Sequence, residues 1–137
     1  MQPSLILAVA IALLAAVLDW RKGEIPNWLT LPALVVGPVL HFAASLKMGT
    51  NAAASEAGIS IAGAILCAVV PMLLYRQNAI GGGDVKLFAA IGALCQPMVG
   101  IEAEMYGFLA AAVVAPVRLA YEGKLFRTMK NALYVAM

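Results

Sequence analysis

From Met1 to Leu18 the chain carries no charged side chain at all. As a helix rising about 1.5 Å per residue, a run of that length reaches roughly 27 Å, close to the ~30 Å hydrocarbon core of a bilayer. The pattern then recurs. Trp28–Leu46, Ala57–Tyr75, a stretch from Asp84 through Cys95, and Met105–Leu119 are further apolar segments separated by short polar breaks. With 64% hydrophobic and only 12% charged residues, and a mean hydropathy of +0.93, the chain falls far from the roughly 25% charge of soluble domains. Lipid is the solvent such a sequence fits. The expected fold is all-α: a polytopic membrane bundle of about five transmembrane helices in one membrane-embedded domain spanning 1–137.

The breaks carry the orientation. Arg21 and Lys22 follow the first run rather than precede it, which puts the N-terminus outside and the Asp19 end in the cytoplasm. Five crossings then place Arg21, Lys22, Arg76, Lys86, Arg118, Lys124, Arg127 and Lys130 inside and leave only Lys47 outside, so eight of nine basic residues obey the positive-inside bias. Trp20 and Trp28 bracket the first polar turn at headgroup level. Pro26 gives the second segment an extended entry, and Asn27 is placed to cap its first amides. Pro32 and Pro38 predict a kinked second helix, residues 47–56 a polar connection, and Gly58, Ala62 and Gly63 a close helix contact. At Gln96-Pro97 the fourth segment either kinks and continues or stops in a loop; Glu102 and Glu104 mark the next polar layer. In the tail, 121–137, Leu125, Phe126, Met129, Ala132, Leu133 and Ala136 share one side and Lys124, Arg127, Thr128, Lys130 and Asn131 the other. That is the pattern of an amphipathic interfacial helix, the alternative being the start of a sixth span. Cys67 and Cys95 stand singly in apolar surroundings and suggest neither a disulfide framework nor a metal site. His41 has no companion ligand nearby in sequence and reads as a polar residue near a helix end.

Chemistry points to two acids. Gly81-Gly82-Gly83-Asp84-Val85-Lys86 sets a carboxyl group at the lip of an apolar segment, where its desolvation has no structural return. The glycines permit a close approach of another element. Asp19, at the end of the first apolar run, falls in the same membrane layer. Two carboxyls sharing a site do not both ionise cheaply, so one holds a proton while the other is charged. Such a pair can activate water against a peptide carbonyl, one acid as base and the other supporting the oxyanion and protonating the leaving amine. Which acid is the base stays open, because a dyad titrates as a unit. Each acid alone has a quieter reading: Asp84 as a helix cap after a glycine turn, Asp19 as a polar border marker. Two acids at matched depth make that coincidence costly. Lys86 either snorkels to the headgroups or contacts substrate; Gly81, Gly82, Gly83, Pro26 and Asn27 shape the loops that hold the acids.

Asp19 followed by Ile25-Pro26-Asn27, together with Gly81-Gly82-Gly83-Asp84-Val85-Lys86-Leu87, resembles the type IV prepilin peptidase family of GxGD intramembrane aspartyl proteases. The resemblance runs from the first apolar segment through the fifth. It implies that Asp19 and Asp84 are the catalytic aspartates and that no metal or other cofactor takes part. It implies further that the substrate is a prepilin or pseudopilin whose short basic leader is removed at the cytoplasmic face of a bacterial inner membrane. Larger members carry an N-terminal cytoplasmic domain with paired cysteine motifs and methyltransferase activity, which nothing here matches. The chain is similar to the short, peptidase-only forms of Flp/Tad pilus systems, the TadV and CpaA type. A catalytically silent subunit of a pilus or secretion machine is the alternative. An ion carrier ranks last, since the middle of each segment lacks charge. Lipid is the expected surrounding, nucleic acid is not an expected partner, and the oligomeric state is open.

Overall fold

The computed structural model describes residues 3–121; the expected amphipathic tail lies outside them apart from its first residue, Tyr121. The order is α1 (Pro3–Lys22), α2 (Asn27–Ser45), a short 3-10 turn (Leu46–Met48), α3 (Thr50–Arg76) and α4 (Gly82–Tyr121), with no strand among the described residues. All four α-helices are long and apolar enough to cross a membrane. The protein is therefore the helical membrane bundle expected. Side chains such as Leu13, Val35 and Ile65, each more than 60% exposed, form an outer surface suited to lipid and not to water.

The fourth and fifth apolar segments meet within α4. Its apolar stretch, Gly82–Val117, is 36 residues, almost twice what a bilayer needs. The resolution lies at Gln96, whose backbone leaves the helix with φ 63° and ψ 170°. A β-carbon built at Gly100 would lie 2.9 Å from the Gly92 Cα; eight residues along an unbroken helix would stand about 12 Å apart. The chain doubles back at Gln96, so that Gly100 returns to Gly92 without an intervening loop.

Other boundaries differ from the sequence reading in instructive ways. The polar connection expected over 47–56 is mostly helix, because Gly49, at φ 110°, makes the break and α3 begins directly at Thr50. Ala52, Ala53 and Ala54, strong helix formers, outweigh the polar residues around them. Pro32 and Pro38 stay inside a continuous α2. Glu104 does not sit in a polar layer: it is 5% exposed, and its Oε1 has no hydrogen-bond partner among the described residues. One acid thus lies well inside an apolar stretch, which qualifies the premise that segment centres are free of charge.

The core is small-residue packing. Ala8, Ile11 and Ala15 on one face of α1 meet Leu29 and Ala33 of α2 and Ala90 and Leu94 of α4. α3 reaches α4 where a β-carbon at Gly63 would overlap the Gly92 carbonyl, and the Ser60 hydroxyl donates to the Ala93 carbonyl at 2.5 Å. Lipid offers no hydrophobic drive for helix association, so backbone approach of this kind, with its dispersion contacts, holds the bundle. The chain divides into two compact units, the first ending at Glu104 and the second beginning at Met105 with the rest of α4. Both candidate acids belong to the first.

Candidate active site

Asp19 lies in the last turn of α1. The helix ends three residues later, at Lys22, because Gly23 takes a positive φ of 68°, and its N–H bonds the Asp19 carbonyl oxygen at 2.7 Å, the usual way a left-handed residue closes a helix. Arg21 and Lys22 add favourable charge at that C-terminus. Glu24, Ile25 and Pro26 then lead into α2. Pro26, extended at φ −73° and ψ 144°, is the residue before the helix, and no side chain caps it. The expectation that Asn27 caps α2 fails for a simple reason: Asn27 is already the first helical residue, and its side chain is engaged elsewhere.

Asp84 is the third residue of α4. Its Oδ2 accepts the Gly81 N–H at 3.1 Å while its own N–H bonds the Gly81 carbonyl at 3.2 Å. This reciprocal pair is half of a capping box, so the quieter reading of Asp84 as a cap is true of one oxygen. The same contact fixes the carboxyl group's direction. The glycines before it serve close approach: a β-carbon on Gly83 would lie 2.9 Å from Ile25 Cβ, and one on Gly82 would meet the Tyr75 ring at 3.4 Å. Gly83 therefore lets the Asp84 loop rest directly on the Asp19–Asn27 segment.

These two segments enclose a cavity of about 280 Å³. Asp19, Gly23, Glu24 and Ile25 line one side, and Gly81, Gly82, Gly83, Asp84 and Lys86 the other. Asp19 is exposed to it and Asp84 half-buried, and they are near enough for the charge of one to be felt at the other. Of the residues singled out in the sequence, both acids, all three glycines and Lys86 are thus brought together. Pro26 and Asn27 stand behind the wall, where the Lys86 ammonium donates to Asn27 Oδ1 at 2.7 Å. Glu24, a third carboxylate on the wall, escaped the sequence reading, since an acid in a polar turn carries no signal of its own.

A second polar cluster lies around the break in α4. Gln96 Nε2 donates to Glu56 Oε2 at 2.6 Å and approaches His41 Nδ1 at 3.4 Å, while His41 Nε2 faces the Leu94 carbonyl at 2.9 Å. With Ser4 and Ser45 they border a cavity of about 220 Å³. His41 therefore has companions, 53 and 55 residues away, that no local spacing could show.

The described residues thus form an apolar helical bundle, with helices long enough to cross a membrane, in which two acids from distant helices open on one cavity. The profile of the type IV leader peptidase family matches residues 6–117, and the chain belongs to that family. Among curated proteins it is similar to prepilin peptidase EppA of Methanothermobacter thermautotrophicus, 38% identical over 96 residues that cover 65% of this chain and 23% of that protein. The chain spans about a quarter of the length of that relative. No solved structure matches it.

Proposed function

We propose that this protein is a prepilin leader peptidase, an aspartic endopeptidase that cuts the short basic leader from type IV or Flp prepilins at the cytoplasmic face of a bacterial inner membrane. One observation carries the reading: Asp19 and Asp84, 65 residues apart in sequence, line the same cavity. The ionised acid of the pair takes a proton from water as it attacks the scissile carbonyl. The protonated acid hydrogen-bonds the oxyanion and then protonates the departing amine, and the pair returns to its starting state when the base passes on its proton. The N-terminus of α4, bordering the cavity with Gly82 and Gly83, adds the partial positive charge of its free amides at the point where negative charge develops. Glu24 on the wall gives the basic leader a counter-charge, and a substrate with an apolar helix reaches the site laterally from lipid.

The test is cleavage of a purified prepilin by the detergent-solubilised protein, with Asp19→Asn and Asp84→Asn beside it. Each substitution keeps shape and removes the ionisable group, and each is expected to abolish processing. Full cleavage by either variant rules out the two-acid mechanism; an inactive wild-type chain on an authentic partner prepilin favours the silent-subunit alternative.

A further inference from the structure

Lys86 lines the cavity, and a basic side chain in that position invites the reading of a substrate contact. Its ammonium is instead committed to Asn27 at 2.7 Å. Three features give that bond a purpose. A cation in the opening turns of a helix works against the helix dipole, so Lys86 is poorly placed unless a partner fixes it. Asn27, for its part, is the first residue of α2 and not its cap, so its side-chain carbonyl oxygen is available to Lys86. Finally, the two residues belong to the two acid-bearing segments. Asn27 follows Asp19 by eight positions across a connection pinned by the Gly23 to Asp19 bond, and Lys86 follows Asp84 by two positions in a turn pinned by Gly81.

Those segments touch at a second place, where Gly83 rests on Ile25. That contact is a stop: it limits how near the segments come. It does nothing to keep them from drifting apart, and the three carboxylates on the wall, Asp19, Glu24 and Asp84, repel one another when ionised. We propose that the Lys86–Asn27 hydrogen bond is the opposing tie, a positioning pair that holds the Asp19 and Asp84 segments at working separation. The inference rests on the reading of these acids as the peptidase dyad. A neutral amide suits the task better than a carboxylate. It accepts a charge-assisted bond and leaves the positive charge of Lys86 uncancelled beside the acids.

The experiment is steady-state cleavage of a synthetic peptide, a basic leader followed by an apolar segment, by protein in detergent. The variants are Lys86→Met, Asn27→Leu, the two combined, Lys86→Arg and Asn27→Asp, with Asp19→Asn as reference and thermal melting as the folding control. A displacement of about 1 Å between reacting groups costs on the order of 100-fold in rate, so Lys86→Met and Asn27→Leu each lower kcat by about that factor. KM stays within about twofold, the mark of lost alignment with binding intact. Because both remove one interaction, the combined variant falls no further than the weaker single variant. Lys86→Arg and Asn27→Asp, which keep a donor and an acceptor, regain at least about tenfold over Lys86→Met and Asn27→Leu and remain readable if the apolar replacements do not fold. A rise in KM at unchanged kcat makes Lys86 a substrate contact and overturns the proposal, as do losses that multiply in the combined variant or wild-type kcat in either single one. Activity in Asp19→Asn overturns the dyad reading itself, whatever the Lys86 and Asn27 variants do.

Discussion

Replacing Gly83 with alanine tests the closest contact in the site. The new β-carbon would stand 2.9 Å from Ile25 Cβ and 3.4 Å from both Ile25 Cγ1 and its backbone nitrogen. Carbon atoms sit comfortably at about 3.5–4.0 Å, so the two segments must separate by roughly 0.6–1.1 Å. Rotation of a flexible side-chain end cannot absorb the shift, because the opposing atom is a β-carbon fixed to the backbone. A displacement near 1 Å between the segments bearing the acids lowers kcat on the order of 100-fold, or about 2.7 kcal/mol of activation free energy. Stability responds differently. Alanine gains up to about 1 kcal/mol over glycine inside a helix, which offsets much of the strain. The expected result is a folded protein with a near-native melting temperature and severely reduced kcat. Gly58→Ala is the matched control: nothing lies within 4 Å of a β-carbon there, and cleavage should be unchanged. Wild-type kcat for Gly83→Ala would refute the reasoning, since it would mean that the two acid-bearing segments work equally well when forced apart.

Other positions give independent checks. Glu24→Gln removes a wall carboxylate that contacts no reacting atom, so it should raise KM for a basic leader about three- to tenfold with kcat nearly unchanged, an effect that fades in high salt. Gly23→Ala places a side chain at φ 68°, costing about 1–2 kcal/mol, and should lower the melting temperature measured in detergent. Gly92→Leu drives a side chain into the Gly63 carbonyl and Cys67 and should prevent recovery of folded protein, read as loss of the monodisperse peak on size exclusion. Thr30→Val replaces a fully buried hydroxyl that has no partner among the described residues, so melting should stay level or rise.

The parts of this fold that depend on local chemistry were legible before any coordinates. Uncharged runs of spanning length announced the helices, and the polar breaks after Asp19 and at 76–78 announced where α1 and α3 end, whereas those at 47–56 and 102–104 are largely helical. A carboxylate at the rim of an apolar segment has few structural reasons to exist, which made Asp19 and Asp84 stand out together. Even the uncertainty at Gln96-Pro97 was a real one. Helix geometry persists on either side of the break, yet the chain reverses, so neither a simple kink nor a loop describes it. What stayed hidden belongs to pairs of residues distant in sequence. Asn27 looks like a cap by position, and only the approach of Lys86, 59 residues later, reveals its use. Glu24 looks like a solvated turn acid until the cavity is closed by the other loop.

The same limit explains the polar group at the break in α4. A non-glycine residue at φ 63° is strained, and at the end of an apolar span its freed backbone groups have little water to turn to. The bundle answers with side chains from two other helices: His41 of α2 bonds the Leu94 backbone carbonyl, and Glu56 of α3 accepts from the side-chain Nε2 of Gln96 and so holds the residue at the break. Glu56 can do so because α3 starts early, at Thr50, so that the supposed connection supplies a rigid helical turn where the carboxylate is needed. The reversal at Gln96 in turn fixes where the first arm of α4 ends, and Ser60, Gly63 and Gly37 lock that arm against α3 and α2 at Gly92 and Ala93, close to the reversal. Asp84 lies at the other end of this clamped arm. Its half of the cavity is thus carried by a packed helix, buried at Val85, Ala89, Ala90, Ala93 and Leu94, whereas the half that Asp19 brings ends in the short connection 23–26.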